Sequence, residues 1–177
     1  MRILIDLQGA QATHHQRGIG RYSLSLALAM VRQRGMHEIH LLLNAHFAQS
    51  IQEIQSAFAG HLPEAHIHFW RAIEPFDDAT SENQPRRAFA EQLRSATISA
   101  IKPDVLLITS LFEGPGNAGL VQLETNGPPT AVVLYDLIPW IHKSRYLSTP
   151  HMLHWYEARL EQLKKADLLL SISQHSR

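Results

Sequence analysis

Arg2-Ile3-Leu4-Ile5-Asp6-Leu7 opens the chain as a run of branched apolar residues carrying one acid, with Gln8 and Gly9 directly behind it. Short apolar runs return in Ile39 to Leu43, Ala65 to Trp70, Val105 to Ile108, Ala131 to Tyr135 and Leu168 to Ile172. The spacing is roughly thirty residues, the length of one strand-helix-strand unit. Polar alternation is mostly missing from these runs, as expected of strands covered by helices on both faces.

The segments between the runs have helical spacing. Phe47, Ile51, Ile54 and Phe58 recur by three and four, as do Phe89, Leu93, Ala96 and Ala100, and Leu153, Tyr156, Leu160 and Leu163. A first helix from about Ile19 to Arg34 is apolar over much of its surface, and Gly35 behind it suits a left-handed cap. The pattern predicts an α/β fold, a Rossmann-like three-layer α/β/α domain with a mainly parallel sheet of six or seven strands. Residues 1–177 fit one domain with no dividing linker. Arg71 to Arg87, with Pro75, Asp77, Asp78, Ser81 and Pro85, reads as a long polar loop.

Composition narrows the function classes. Hydrophobic residues make up 45% of the chain and formal net charge is zero, which argues against disorder and against nucleic acid as a partner held by bulk charge. There is no cysteine, so disulfides, thiolate zinc sites and thiol catalysis are excluded. Met1 leads straight into the first strand, no signal peptide is recognisable, and no apolar run reaches the roughly 18 residues of a membrane span. A cytoplasmic location is expected. Arg17, Arg21, Arg32 and Arg34 gather near the first helix; a solvated basic face is the plain reading, and peripheral contact with anionic lipid at the inner membrane face is the alternative. Ser173 reads as a helix N-cap close to the last residue, Arg177, so the chain is expected to be the N-terminal part of a longer polypeptide, with a frayed tail as the alternative.

Open parallel sheets bind ligands beyond the carboxyl ends of their strands. Those ends bring together Asp6 and Gln8, Asn44, Ser110 to Gly116, Asp136 and Ser173. Gly18-Ile19-Gly20-Arg21-Tyr22 opens the first helix: glycines there let backbone N–H groups approach a phosphate, with Arg21 adding a charged contact, or they only permit a tight turn. As a dinucleotide fingerprint the segment fails, because it lies far past the strand, Ser23 holds the third glycine position, and Asn44 stands where an acid would hold a ribose. Glu113, among the small residues of Ser110 to Gly116, can accept hydrogen bonds from sugar hydroxyls, cap a helix, or be solvated. Asp136, between apolar neighbours in Leu134-Tyr135-Asp136-Leu137-Ile138-Pro139-Trp140, needs hydrogen bonds, a cation or a task; it is the leading catalytic candidate, with binding to turn amides as the structural alternative.

The chain has twelve histidines, yet no bound metal is expected from their placement. His14 and His15 are adjacent and point apart, His66 and His68 share one strand face, and His151 and His154 lie three apart on a helix, each pair without an evident third ligand. A serine nucleophile is equally unsupported, since no Gly-x-Ser-x-Gly elbow is present.

Several of these segments together resemble the N-terminal domain of group 1, or family 4, glycosyltransferases. They are Gly18-Ile19-Gly20-Arg21-Tyr22 with its helix, Gly35-Met36-His37-Glu38-Ile39, Pro103-Asp104-Val105 leading into Ser110-Leu111-Phe112-Glu113-Gly114, Asp136-Leu137-Ile138-Pro139, and Leu160 to Asp167 leading into Ser171-Ile172-Ser173. The resemblance spans nearly the whole chain and is closest in flavour to bacterial mannosyltransferases that build cell-surface polysaccharide. It implies the N-terminal half of a GT-B fold, the acceptor-side domain of an enzyme whose C-terminal domain holds most of a nucleotide-sugar donor.

By this resemblance Gly18, Gly20 and Arg21 face the donor pyrophosphate, while Asp136, Glu113, Tyr135, Tyr22 and Ser110 line the acceptor side. Relatives commonly carry His where Tyr135 stands, so no histidine base is assigned. The family's glutamate pair, seven residues apart, belongs to the second domain; Phe112-Glu113-Gly114 echoes its first half, but Val121 stands at the second position. No cofactor or metal is implied, only a nucleotide-sugar such as GDP-mannose and a glycan or lipid-linked acceptor, and the chain by itself is expected to be inactive. A non-catalytic nucleotide- or sugar-binding α/β module is the alternative function, and a self-contained dehydrogenase a third.

Overall fold

The computed structural model describes residues 1–11, 18–71, 74–76, 80–113, 119–124 and 126–176. The six apolar runs form β1 (Arg2–Asp6), β2 (Glu38–Asn44), β3 (Ile67–Trp70), β4 (Val105–Ile108), β5 (Thr130–Leu134) and β6 (Leu168–Ser171). All pair in parallel, in the order β3-β2-β1-β4-β5-β6. The order reverses direction between β1 and β4, the switch point of a Rossmann-like sheet.

Helices α1 (Gly18–Arg32), α2 (Ala48–Phe58), α3 (Gln84–Ile101) and α6 (Pro150–Leu163) supply the outer layers, with two single-turn helices, α4 (Ile138–Ile141) and α5 (Lys143–Tyr146), between β5 and α6. Successive strand residues point to opposite faces and feed two cores. Ile5, Leu41, Leu43, Leu107 and Val133 pack with Ala27 and Val31 of α1 and Ile54 and Phe58 of α2. Leu4, Leu42, Leu106, Ile108 and Val132 pack with Ala90 and Ile98 of α3 and Leu163 of α6. The arrangement is a three-layer α/β/α domain.

Helix ends follow the chain's punctuation. Gly35 has φ +54°, the left-handed conformation glycine adopts without a Cβ penalty. Thr149 Oγ1 accepts from Met152 N at 3.2 Å and caps α6. The expected loop from Arg71 to Arg87 is shorter than its polarity suggests: α3 begins at Gln84, with Pro85 in the first turn, where a missing N–H leaves no helical bond unmade. Phe76 in that stretch is buried in the α3-side core. Ser173 is followed by a single 3-10 turn, Gln174–Ser176, whose last N–H donates to Ser173 Oγ at 3.2 Å.

Candidate functional site

The carboxyl end of β1 is built from buried polar groups that satisfy one another. Asp6 is 2% exposed and Arg94, reaching across from α3, 1%. Arg94 Nη2 and Nε donate to Asp6 Oδ2 at 2.6 and 3.0 Å, and the Gln8 backbone N–H donates to Oδ1 at 3.1 Å. Gln8 Nε2 donates to Leu120 O at 2.6 Å, and Leu120 N donates to Gln8 Oε1 at 3.0 Å, which fixes the chain at Leu120. Asn44 N donates to Gln11 Oε1 at 2.8 Å. Asp6, Gln8 and Asn44 are thus tied into the scaffold beneath the sheet edge.

Above this floor, the end of β4, the start of α1 and the end of β5 meet at Tyr135. Its hydroxyl can give its single proton to Thr109 O at 3.1 Å, with Ile19 O at 3.4 Å as the other acceptor within reach, and lies 3.1 Å from Ser23 Oγ. Tyr22 packs edge-on against the Tyr135 ring, centroids 5.5 Å apart. Burial pushes the Tyr135 phenol up to about 12, so it is a proton donor at neutral pH.

The cavity beside Tyr135 has a volume of about 300 Å³, and its polar lining comes from Ser110, Tyr135 and Asp136, with Ile19 at the α1 end. Its far wall is aromatic and apolar: Phe112, Tyr146, Met152, Trp155 and Tyr156. Phe112 and Tyr156 lie 4.8 Å apart between ring centroids, and Trp140 stacks on Tyr156 at 6.2 Å and 9°. Burial, with the nearby Asp136 charge second, raises the Tyr156 phenol to about 12. An apolar, aromatic wall facing a few convergent hydroxyl and carboxylate groups is the chemistry that stacks a sugar ring and fixes its hydroxyls.

The candidate residues occupy different parts of this edge. Asp136 is exposed at the cavity, and its Oδ1 accepts from Ile138 N at 3.0 Å, a turn-amide bond. Glu113 is not among the residues lining the cavity: its Oε1 is sealed from solvent with no hydrogen-bond partner among the described residues, and an ideal Cβ on Gly9 would sit 3.4 Å from it. Burial raises the Glu113 carboxyl above its usual range; Ser110 offsets this by hydrogen bonding, and the Asp6 charge adds to it. The same Cβ on Gly9 would stand 2.6 Å from Ser110 Cβ, so glycine is what allows β1 and β4 to bring these groups together. Gly18 opens α1, with empty space where its side chain would be, Gly20 is buried, and Arg21 is exposed. Arg17, His14, His15 and Gly114 to Gly116 lie outside the described residues.

The aromatic wall had no clear signal in the sequence. Tyr156 belongs to the buried stripe of α6, and an aromatic at helical spacing reads as core. Trp140 and Tyr146 sit in single-turn helices too short to show a period.

The chain is thus a Rossmann-like domain with an aromatic, hydroxyl-lined cavity at the carboxyl edge of its sheet. Along almost all of its length the chain is similar to bacterial mannosyltransferases. It is 32% identical over 177 residues to the serotype-specific mannosyltransferase WbdA of Escherichia coli, a match covering 98% of this chain and 21% of that protein. Two further WbdA sequences from Escherichia coli are each 28% identical over 152 residues, covering 84% of this chain and 19% of their own length. The chain therefore spans about a fifth of the length of these curated relatives. No protein-family model matches the chain, and no solved structure matches it. Among the described residues no helix is long and apolar enough to cross a membrane.

Proposed function

We propose that this chain is the acceptor-side domain of a glycosyltransferase that moves mannose from a nucleotide-sugar, GDP-mannose in the simplest case, to a glycan or lipid-linked acceptor during cell-surface polysaccharide synthesis. The observation that carries the reading is the match to a mannosyltransferase over 98% of the chain. The cavity supports it chemically: Phe112, Trp155 and Tyr156 offer a stacking wall, Ser110 and Tyr135 offer hydroxyls, and Asp136 offers a carboxylate.

In this reading an acceptor sugar lies against the aromatic wall with a hydroxyl on Asp136, whose carboxylate takes that hydroxyl's proton as its oxygen bonds to the anomeric carbon of the donor sugar and the nucleoside diphosphate leaves. Gly18, Gly20 and Arg21 face the donor pyrophosphate, which a second domain of the same polypeptide presents. The length of the relatives supports that second domain. Leaving-group charge is then met by fixed dipoles and cations, without a metal.

The test is a transfer assay on the complete polypeptide and on residues 1–177 alone, with GDP-mannose and a mannose-terminated acceptor. The complete polypeptide is expected to transfer mannose and the 177-residue chain to fold without turnover. Robust transfer by the 177-residue chain would overturn the division of labour; transfer of a different sugar would overturn the donor assignment.

A further inference from the structure

At the opposite end of the sheet from the cavity, the start of β2 and the turn into β3 gather Glu38, His40, His66 and His68. Leu41 pairs with Ile67 and Leu42 with His68, so His40 faces His66 across the two strands. The His40 and His66 rings stack with centroids 4.1 Å apart at 15°, and His68 lies against His40 on a second side at 5.1 Å.

A backbone carbonyl fixes where the His66 lone pair points, and the tautomer of the His40–His68 pair sets that of His40. His66 Nδ1 lies 3.0 Å from Ile39 O; a carbonyl only accepts, so Nδ1 carries the proton and neutral His66 presents Nε2 as a bare lone pair. His40 Nδ1 lies 2.8 Å from His68 Nε2. His40 is 6% exposed, and its Nε2 is sealed from solvent with no hydrogen-bond partner among the described residues. Glu38 Oε1 stands 3.3 Å from that Nε2, out of line for a hydrogen bond, and 3.7 Å from His66 Nε2. Arg2 Nε holds the other carboxylate oxygen, Oε2, at 3.0 Å, and so orients the group. One carboxylate oxygen and two imidazole nitrogens thus converge within 4.8 Å of one another. With His40 Nδ1 donating to His68 Nε2, three electron-pair donors face one another, and a cation among them turns their repulsion into binding.

We propose that Glu38, His40 and His66 form a zinc site, with Glu38 Oε1, His40 Nε2 and His66 Nε2 as ligands and water completing a tetrahedron. Two imidazoles and a carboxylate are a donor set for borderline dications. Ligand atoms about 2.0–2.1 Å from zinc at tetrahedral angles stand roughly 3.4 Å apart, and two of the three separations here are 3.3 and 3.7 Å. Binding requires the His66 ring to tilt out of its stack, which its 25% exposed side chain allows. His68 becomes the outer partner that accepts from His40 Nδ1 and sets its tautomer, as histidine ligands generally require. The ion would pin the edge strand β3 to β2, at the end of the sheet remote from sugar transfer, so its role is structural and independent of the function proposed above.

The experiment is equilibrium dialysis of metal-free, untagged protein against Zn²⁺, with elemental analysis, and melting curves with and without Zn²⁺. The wild type is expected to bind one zinc per chain and to melt higher with it. His66→Ala and Glu38→Gln, both at partly exposed positions, are expected to weaken binding by at least about tenfold, and His68→Ala by roughly 10- to 100-fold. The surface pair His151→Ala/His154→Ala serves as the control and is expected to bind as the wild type does. Sub-stoichiometric binding by the wild type, or wild-type affinity in both His66→Ala and Glu38→Gln, would overturn the site. Circular dichroism establishes that each variant is folded, and Glu38→Gln, which keeps the side-chain shape, decides the matter if His66→Ala is not.

Discussion

Glu113 concentrates the chemistry of the sheet edge in one side chain. A carboxylate sealed from water with an unpaired oxygen costs free energy in the folded state, and only a ligand or a proton relieves it. Its folded pKa is raised above the usual 4.5, so the unfolded chain releases this proton first. The stability Glu113 contributes is therefore fully present below about pH 4.5 and is lost as pH rises through its folded pKa. Glu113→Gln, neutral at every pH, is expected to raise stability at pH 7 by about 1–2 kcal/mol, with the gain over wild type vanishing at acid pH. Melting curves from pH 4 to 8 check it. The same substitution is expected to slow mannose transfer about tenfold if Glu113 meets a sugar hydroxyl, the loss of a charge-assisted hydrogen bond. A variant that is more stable and less active separates a binding residue from a structural one.

Asp6 and Arg94 show how the elements are fastened together beneath that edge. The pair joins β1 to α3 across the core at 2.6 Å, both partners almost fully buried. Arg94→Ala leaves Asp6 in the core without its cation and is expected to cost about 3–5 kcal/mol in chemical denaturation, whereas removing both groups with the double change Asp6→Leu/Arg94→Met is expected to cost much less. A double variant as unstable as Arg94→Ala would show that packing, not the stranded charge, sets the cost.

At this scale the sequence was informative where a pattern is local. Ile39 to Leu43 and Val105 to Ile108 read as buried strands because both faces are apolar, and Gly35 marked the end of α1 through its backbone freedom alone. Polarity misled at Gln84 to Arg87, where a proline in the first helical turn looked like loop punctuation. The strand-end polar residues Asp6 and Asn44 could not be told from ligand-binding groups, because their partners Arg94 and Gln11 lie far along the chain or outside any motif. His40 was illegible for the same reason: only the β2–β3 register sets it beside His66.

Over the whole molecule, the two ends of the sheet carry different groups. The amino end of β2 and β3 carries the histidine cluster, and the carboxyl end carries the cavity between β4, β5, α1 and α6. Ile19, Ser110 and Asp136 are distant in sequence, yet all line that cavity, and Tyr135 links α1 to β4 by hydrogen bonding. Such convergence beyond the carboxyl ends of the strands, near the switch point, is where open α/β sheets bind ligands. The relationship to mannosyltransferases covers this whole architecture.

The most direct test is the rate of mannose transfer by the complete polypeptide carrying Asp136→Asn, measured beside its melting temperature. Turnover is expected to fall by about 100-fold or more, the scale of a lost proton-transfer group, with the melting temperature little changed because Asn keeps the oxygen that accepts from Ile138 N. Near-normal turnover together with a clearly lowered melting temperature would contradict the account and leave Asp136 as a turn-capping residue.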